Sequence, residues 1–315
     1  MSSIHVISVS GGKDSTATLL LAIARVGRDA IRPIFCDTGN EHEAVYSYLD
    51  YLESALSVRI HRLRADFSAD FARKRMFIAR DQRTRRGPDG RRVRWTNKSK
   101  RRALALLHPT GNPFLDLCML KGRFPSRKAQ FCTQELKRNP AVEYQLDLME
   151  QGHRVISWQG VRRDESLNRR NAKKTERIGK GLHTFRPIVD WTADGVFAHC
   201  AAAGIQPNPL YLQGMTRVGC MPCINVNKAE LREIAARFPE HVARIAEWEI
   251  LVSSVSKRQA ATFIPAPGIS PAQAKEHTIH HVVRWAKTTH GGRQFDLLAD
   301  ITETRACASA YGLCE

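Results

Sequence analysis

The segment Ser8-Val9-Ser10-Gly11-Gly12-Lys13-Asp14-Ser15-Thr16 carries the residue types of this chain best suited to chemistry. Two glycines let the backbone curl until successive N–H groups face one anion, and a helix starting there adds the partial positive charge of its N-terminus. Lys13 and the hydroxyls of Ser10, Ser15 and Thr16 offer further donors. The segment reads as a phosphate cradle, with Lys13 and Asp14 as catalytic candidates and Ser8, Ser10, Gly11, Gly12 and Ser15 as binding candidates. It is not the Walker arrangement, which places four residues between its first glycine and Gly-Lys-Ser/Thr. A second candidate centre is Cys220-Met221-Pro222-Cys223, with single cysteines at Cys132, Cys307 and Cys314. Two thiolates two residues apart can hold one metal or one edge of a cluster, and remote thiolates complete the set. Cys220, Cys223, Cys307 and Cys314 could form a structural Zn²⁺ tetrathiolate. Cys36, Cys118 and Cys200 read as core residues.

These residues need a frame. Ile4–Val9 is a short apolar, β-branched run that predicts a strand, Gly11-Gly12 a turn, and Ser15–Ala24 a helix. Ile31–Cys36 predicts a second buried strand ending at Asp37-Thr38-Gly39, followed by a helix over 41–56 and a third strand over 58–63. Thr133–Met149 reads as helical, with Pro140 a break or restart, and Arg154–Gln159 as a fourth strand running into Gly160. Strands alternating with helices predict parallel βαβ units and an α/β sheet, whose ligands bind beyond the carboxyl ends of the strands. After Pro187 the pattern turns helical, over 192–203, 228–252 and 271–287, the last with Ser270 as N-cap and Pro271 at its first position.

The 315 residues carry 49 Lys+Arg against 31 Asp+Glu, a formal charge of +18. With 43% hydrophobic and 25% charged residues the chain can bury a core, which argues against global disorder. No run approaches the roughly 18 apolar residues of a membrane span. Met1-Ser2-Ser3 leads into an apolar segment without a basic leader region, so a cytoplasmic location and no membrane partner are expected. In that compartment cysteines are free, catalytic or metal-bound rather than disulfide-linked. The charge is concentrated: between Arg73 and Arg102 fourteen basic residues face only Asp81 and Asp89, a local net of +12. With Gly87, Pro88 and Gly90 in its middle, this run reads as an exposed, partly mobile insertion. Its expected partner is a polyanion such as a nucleic acid, gripped by its backbone rather than read by its bases.

The segment SGGKDST resembles the PP-loop of the ATP-pyrophosphatase superfamily, and later segments resemble its phosphoadenosine-phosphosulfate (PAPS) reductase family. Asp37-Thr38-Gly39 with Glu41 is similar to that family's second-strand motif, and Gly160-Val161-Arg162-Arg163-Asp164-Glu165-Ser166 with Arg169 to its fourth-strand segment. Arg186-Pro187-Ile188-Val189-Asp190-Trp191, then Asn208-Pro209-Leu210-Tyr211 and Gly214, are similar to the stretch before its C-terminal cysteines. The resemblance implies a five-stranded parallel sheet in a nucleotide-binding α/β domain over 1–187, with a basic insertion at about 66–130. A helical C-terminal region with a cysteine-rich site would cover 188–315. It also implies an adenine nucleotide, ATP or PAPS/APS, over the strand ends. Asp37 suits a ribose hydroxyl or Mg²⁺. Arg162, Arg163 and Arg169 suit phosphate or sulfate, and Gly160 suits close approach of an adenine edge.

For the cysteines the resemblance implies a [4Fe–4S] cluster on Cys132, Cys220 and Cys223, with Phe131 where a fourth ligand would stand and Cys307 or Cys314 as substitutes. Three functions follow from it. One is ATP-dependent sulfur transfer to a nucleic-acid acceptor, as in DNA phosphorothioation sulfurtransferases, with a sulfur donor protein as partner. Another is sulfonucleotide reduction with Cys314 as nucleophile in the tail Tyr311-Gly312-Leu313-Cys314-Glu315. The third is a nucleotide- or nucleic-acid-binding adaptor without turnover.

Overall fold

The computed structural model describes residues 3–86, 90–265, 267, 269, 273 and 277–288. In chain order its elements are β1 (Ser3–Ser8), α1 (Lys13–Val26), β2 (Ile31–Asp37), α2 (Glu43–Leu56), β3 (His61–Arg64), α3 (Ser68–Arg80), β4 (Arg85–Arg86), β5 (Arg92–Val93), α4 (Asn97–Leu106) and α5 (Pro113–Lys121). A π-helical turn over Thr133–Arg138 leads into α6 (Asn139–Glu150), β6 (Arg154–Trp158), β7 (Thr175–Gly179), β8 (Leu182–Phe185), α7 (Ala193–Ala202), α8 (Pro209–Leu212), α9 (Lys228–Arg237), α10 (Pro239–Val255) and α11 (Ile279–Ala286). The described residues divide into two compact units, one of those up to Arg64 with Thr133–Met221, the other of those in Ala65–Cys132 and from Pro222 to Thr288. That partition groups the insertion with part of the C-terminal half, where a linear reading divides the chain at 187. The residues Ser270, Pro271, Cys307 and Cys314 lie outside those described. No helix among the described residues is long and apolar enough to cross a membrane.

The first unit is built on a six-stranded sheet in the order β3-β2-β1-β6-β8-β7. Five strands, β3 to β8 across the sheet, run parallel, as expected, and β7 adds an antiparallel edge. The fifth parallel strand is only Leu182–Phe185, too short to leave a pattern in the sequence. Ile4 and Val6 alternate onto one face of β1 and pack with Ile34, Cys36 and Val155 against Ala141 and Leu148 of α6. A second apolar cluster joins Ala17 of α1 to Val196 and Cys200 of α7. The chain runs outward from β1 through β2 to β3, then returns to place β6 on the other side of β1. That reversal makes the carboxyl ends of β1 and β6 a topological switch point, where the connecting loops diverge and leave a crevice. The glycine loop follows β1, Asp37 ends β2 and Gly160 follows β6, so three motifs far apart in sequence share one sheet edge.

Some elements differ from their sequence expectation. The single helix over 228–252 is two, because Phe238 leaves helical geometry (φ −131°, ψ 57°) ahead of Pro239, which lacks the N–H a continuous helix needs. The basic run carries regular structure that its composition did not show: α3 and α4 hold much of it on either side of the antiparallel β4–β5 pair, and Thr96 and Ser99 cap α4 reciprocally. Where the sequence predicts a helix over 271–287, α11 starts at Ile279 behind Thr278.

The second unit packs around aromatic rings. Phe114 of α5 stacks on Trp248 of α10 with ring centres 5.7 Å apart, and Phe263 meets Phe124 edge-on at 5.4 Å. Beside them Glu249, 2% exposed, accepts the N–H groups of Phe263 at 2.7 Å and Ile279 at 2.8 Å. Burial raises its pKa from 4.5 to about 7, against those two hydrogen bonds. Between these values the unfolded chain releases the proton that the folded chain keeps, so this group's contribution to stability falls as pH rises, by about 3 kcal/mol over the window. Urea titrations at several pH values from 4 to 8 should show Glu249→Gln lowering that pH dependence by a comparable amount. A difference between wild type and variant that stays constant with pH would dismiss the assignment.

Candidate active site

Gly11 sits at φ +81°, and a Cβ there would also lie 3.1 Å from Val45 Cγ1, so both conformation and space demand glycine. Gly12 precedes α1 in extended conformation, and its carbonyl accepts from Thr16 N at 3.1 Å, Thr16 Oγ1 at 3.0 Å and Ser15 Oγ at 2.9 Å. Three amides of the loop meet hydroxyl oxygens. Ser10 N donates to Ser15 Oγ at 3.1 Å, Gly12 N to Ser10 Oγ at 3.4 Å and Lys13 N to Tyr211 OH at 3.0 Å. A phosphate oxygen displacing any of these hydroxyls would find an amide already aimed at it. Lys13 Nζ stands 3.4 Å from Asp14 Oδ2 and 5.5 Å from the centre of the Tyr211 ring, while Asn208 Nδ2 donates to Gly11 O at 3.2 Å. Asn208 and Tyr211 are not among the site residues that the sequence singles out. Their one signal is the Asn208–Tyr211 stretch, and their partners are set by the fold.

At the end of β2, Asp37 Oδ1 accepts from Gly39 N at 2.9 Å and Tyr46 OH at 2.8 Å, with Arg64 Nε 3.8 Å from its other oxygen. Glu41, 4% exposed, ties the following turn together by accepting from Thr38 Oγ1 at 2.7 Å and from the amides of Thr38 and Asn40 at 3.2 Å. Ser8, Ser10, Glu41, Lys137 and Gly219 line a cavity of about 20 Å³, enough for roughly one water.

The arginines behave differently from one another. Arg162, buried, donates through Nε to Asp14 Oδ1 at 2.6 Å and also pairs with Asp164. Arg169, also buried, pairs with Glu165, whose pKa burial raises while Arg169 opposes the shift. Arg163 turns outward to Asp190 and to Ala172 O at 3.0 Å. All three, expected to grip a ligand, have carboxylate partners here. Among the described residues the buried Ser166 Oγ of the same segment has no hydrogen-bond partner, which leaves it a donor for a ligand oxygen. The close approach that Gly160 permits is to α1: a Cβ on it would lie 2.8 Å from Asp14 C and O and 3.0 Å from Ser15 N. Arg186, a third residue that sequence reasoning does not place in the site, is buried and donates to Gln159 Oε1 at 3.0 Å and Lys173 O at 2.8 Å.

Cys36, Cys118 and Cys200 are buried, as expected, and burial pushes the Cys36 thiol up to about 12. Cys132, Cys220 and Cys223 are half-buried. In the first unit Cys220 Sγ lies 3.6 Å from Glu41 Oε1 and 3.5 Å from Thr38 Oγ1. In the second, Cys223 Sγ accepts the Asn225 N–H at 3.5 Å, the kind of bond that orients and tunes a metal-bound thiolate. None of the three is locked in a disulfide, and each is a donor of the type that a soft metal or an iron–sulfur cluster takes.

The chain as a whole is similar to known proteins. The phosphoadenosine phosphosulfate reductase domain matches residues 4–226. A 37.8 kDa protein of Escherichia phage 186, described as uncharacterized, is 46% identical over 100% of this chain and 97% of its own length. The adenosine 5′-phosphosulfate reductase of Rhizobium meliloti is 38% identical over 80 residues, 25% of this chain and 30% of the enzyme. Among solved structures, phosphoadenylyl-sulfate reductase from Candida auris in complex with phosphate superposes with a TM-score of 0.40 at 15% identity, covering 70% of this chain and 82% of that one. With the reductase domain matched from the first strand through the C-x-x-C, the chain belongs to the phosphoadenosine phosphosulfate reductase domain family.

Proposed function

We propose that this protein is a sulfur-transfer enzyme that cleaves ATP to AMP and pyrophosphate and sulfurates a nucleic-acid acceptor. The observation that carries the proposal is the glycine loop, whose amides of Ser10, Gly12 and Lys13 are aimed at oxygen atoms beside the Lys13 ammonium. The triphosphate lies along this loop, where Lys13 offsets the charge that grows on the departing pyrophosphate. An acceptor oxygen attacks the α-phosphorus, the bond to the β-phosphate oxygen breaks, and the acceptor is left adenylated. Hydrosulfide delivered by a donor protein then attacks the adenylated carbon, the new carbon–sulfur bond replacing the bond to the AMP oxygen, and AMP leaves. Asp37, held by Gly39 and Tyr46 through one oxygen, offers the other to the ribose or to Mg²⁺. Ser166 donates to a phosphate oxygen. Cys132, Cys220 and Cys223 would hold an iron–sulfur cluster, which would supply iron able to bind sulfide; the alternative is Zn²⁺ on Cys220, Cys223, Cys307 and Cys314. Pyrophosphate release from ATP should rise on adding single-stranded oligonucleotide, and Lys13→Ala should lower it about a hundredfold. Release indifferent to every nucleic acid tested would rule the acceptor out.

A second reading is favoured by the similarity to adenosine 5′-phosphosulfate reductases. There the same loop takes the sulfonucleotide and Cys314 attacks its sulfur, displacing the adenosine phosphate. Sulfite would then be released by reduction of the thiosulfonate with a dithiol partner. Sulfite formed from APS or PAPS by wild type and lost in Cys314→Ser supports this reading; none from wild type ends it.

A further inference from the structure

The second unit encloses a cavity of about 440 Å³ that the reaction above does not use. Its floor is apolar, made by Ile78, Val93, Trp95 and Val255, and its rim is cationic. The helix α3 contributes Lys74, and the β4–β5 pair contributes Arg85 and Arg86. Lys121 and Arg123 come from the end of α5, and Lys257 and Arg258 from the turn after α10. The last four lie outside the basic run, so the fold brings to this concavity positive charge that the run alone does not contain.

Asp81 is the acidic residue of the lining, and it is already occupied. Arg83 Nε donates to it at 2.8 Å and Lys257 Nζ at 2.9 Å, and these bonds, Arg83's first, hold its carboxyl well below the usual range against the effect of burial. Arg85, Arg86 and Arg258 have no carboxylate partner among the described residues. The pKa of Lys74 is lowered by burial and then by the charges of Arg85 and Lys121, so the rim repels itself. An anion in the cavity relieves that repulsion.

The form of the anion follows from size and extent. A cavity of about 440 Å³ falls in the range of small-ligand pockets, about 300–1,000 Å³, a volume that holds one nucleotide and not a duplex. A lone phosphate or mononucleotide would leave most of this charge unmatched. The charge also continues over the same unit through the exposed Arg92, Arg94, Lys98, Arg101 and Arg102. Phe77, exposed at the rim with Arg83 4.7 Å from its ring centre, adds an aromatic and guanidinium surface of the kind unstacked bases use. We infer that this cavity binds single-stranded nucleic acid, admitting one nucleotide while neighbouring phosphates run over the arginines. The inference takes its class of partner from the acceptor proposed above, but its residues all belong to one unit and none is in the glycine loop.

The test is fluorescence anisotropy of the full chain with a fluorescein-labelled strand of about 12 nucleotides, as DNA and as RNA, across a range of salt. The strand should bind more tightly than the matching duplex. The triple variant Arg85→Ala/Arg86→Ala/Arg258→Ala should weaken binding at least tenfold and reduce the log–log salt slope by about 2, roughly 0.7 for each phosphate no longer neutralised. The control Lys173→Ala/Lys174→Ala/Arg177→Ala removes equal charge from exposed positions of the other unit and should change affinity less than about threefold. Equal weakening by the control, tighter binding of the duplex, or complete displacement of the strand by millimolar AMP would each overturn the inference. Should the triple variant melt early, Arg258→Ala alone carries the test, with a threefold or greater loss expected. ATP calorimetry separates the two sites: Lys13→Ala should lose ATP and keep the strand, and the triple variant should do the reverse. Strand binding without nucleic-acid-stimulated pyrophosphate release leaves the cavity standing and removes only the reaction.

Discussion

Arg162→Ala destabilises the protein by about 3 kcal/mol or more, because it strands a carboxylate in the interior. Asp14 is 1% exposed and Arg162 4%, and the guanidinium Nε lies 2.6 Å from Asp14 Oδ1. Water cannot replace the missing partner, and Lys13, 3.4 Å from the other oxygen, supplies only part of the compensation. Asp164, which pairs with the same arginine but is about half exposed, should cost less than about 1 kcal/mol when replaced by alanine. Urea denaturation measures both. The double variant Asp14→Ala/Arg162→Ala should cost less than the sum of the single changes by about 2 kcal/mol, the mark of two residues acting as a unit. A loss below about 1 kcal/mol for Arg162→Ala would mean that Lys13 alone satisfies Asp14, and Arg162 would again be free to act as a ligand fork.

Gly160→Ala costs about 3 kcal/mol and weakens ATP binding tenfold or more. The added methyl would lie 2.8 Å from the carbonyl carbon and oxygen of Asp14 and 3.0 Å from Ser15 N, distances that backbone atoms cannot accommodate by a rotamer change. The first turn of α1 must move, and with it Lys13 and the amides that meet the phosphates. Gly179→Ala is the matched control: nothing lies within 4 Å of its Cβ position, so its effect should stay within a few tenths of a kcal/mol. Urea titration gives the stability and calorimetry with ATP the affinity. Unchanged affinity in a stable Gly160→Ala protein would detach this glycine from the site.

Both effects reside in contacts between segments that lie about 150 residues apart, and neither is visible in either segment by itself. Gly160 and Arg162 are legible as a special motif, since glycine beside paired arginines after an apolar run is more than a turn requires. Which surface the glycine touches and which acid the arginine meets depend on β6 lying next to β1, and hence on the return of the chain from β3. The same holds for Tyr211, whose hydroxyl meets the Lys13 amide from a helix of four residues. The basic run illustrates the opposite failure: its charge hid the helical spacing of Phe71 and Ile78, the buried residues of α3.

Residue order by itself determined the strand–glycine turn–helix of the loop, the second strand ending at Asp37, the strand before Gly160 and the alternation that makes the sheet parallel, because each depends on propensities and periods within a few residues. Tertiary structure alone decided the six-strand order, the inward turn of Arg162 toward Asp14, the pairing of the Tyr211 hydroxyl with the Lys13 amide and the gathering of Lys121, Arg123, Lys257 and Arg258 around one cavity. Those outcomes are set by packing and by the desolvation of charges, which act between groups according to their separation in space and are indifferent to their separation along the chain.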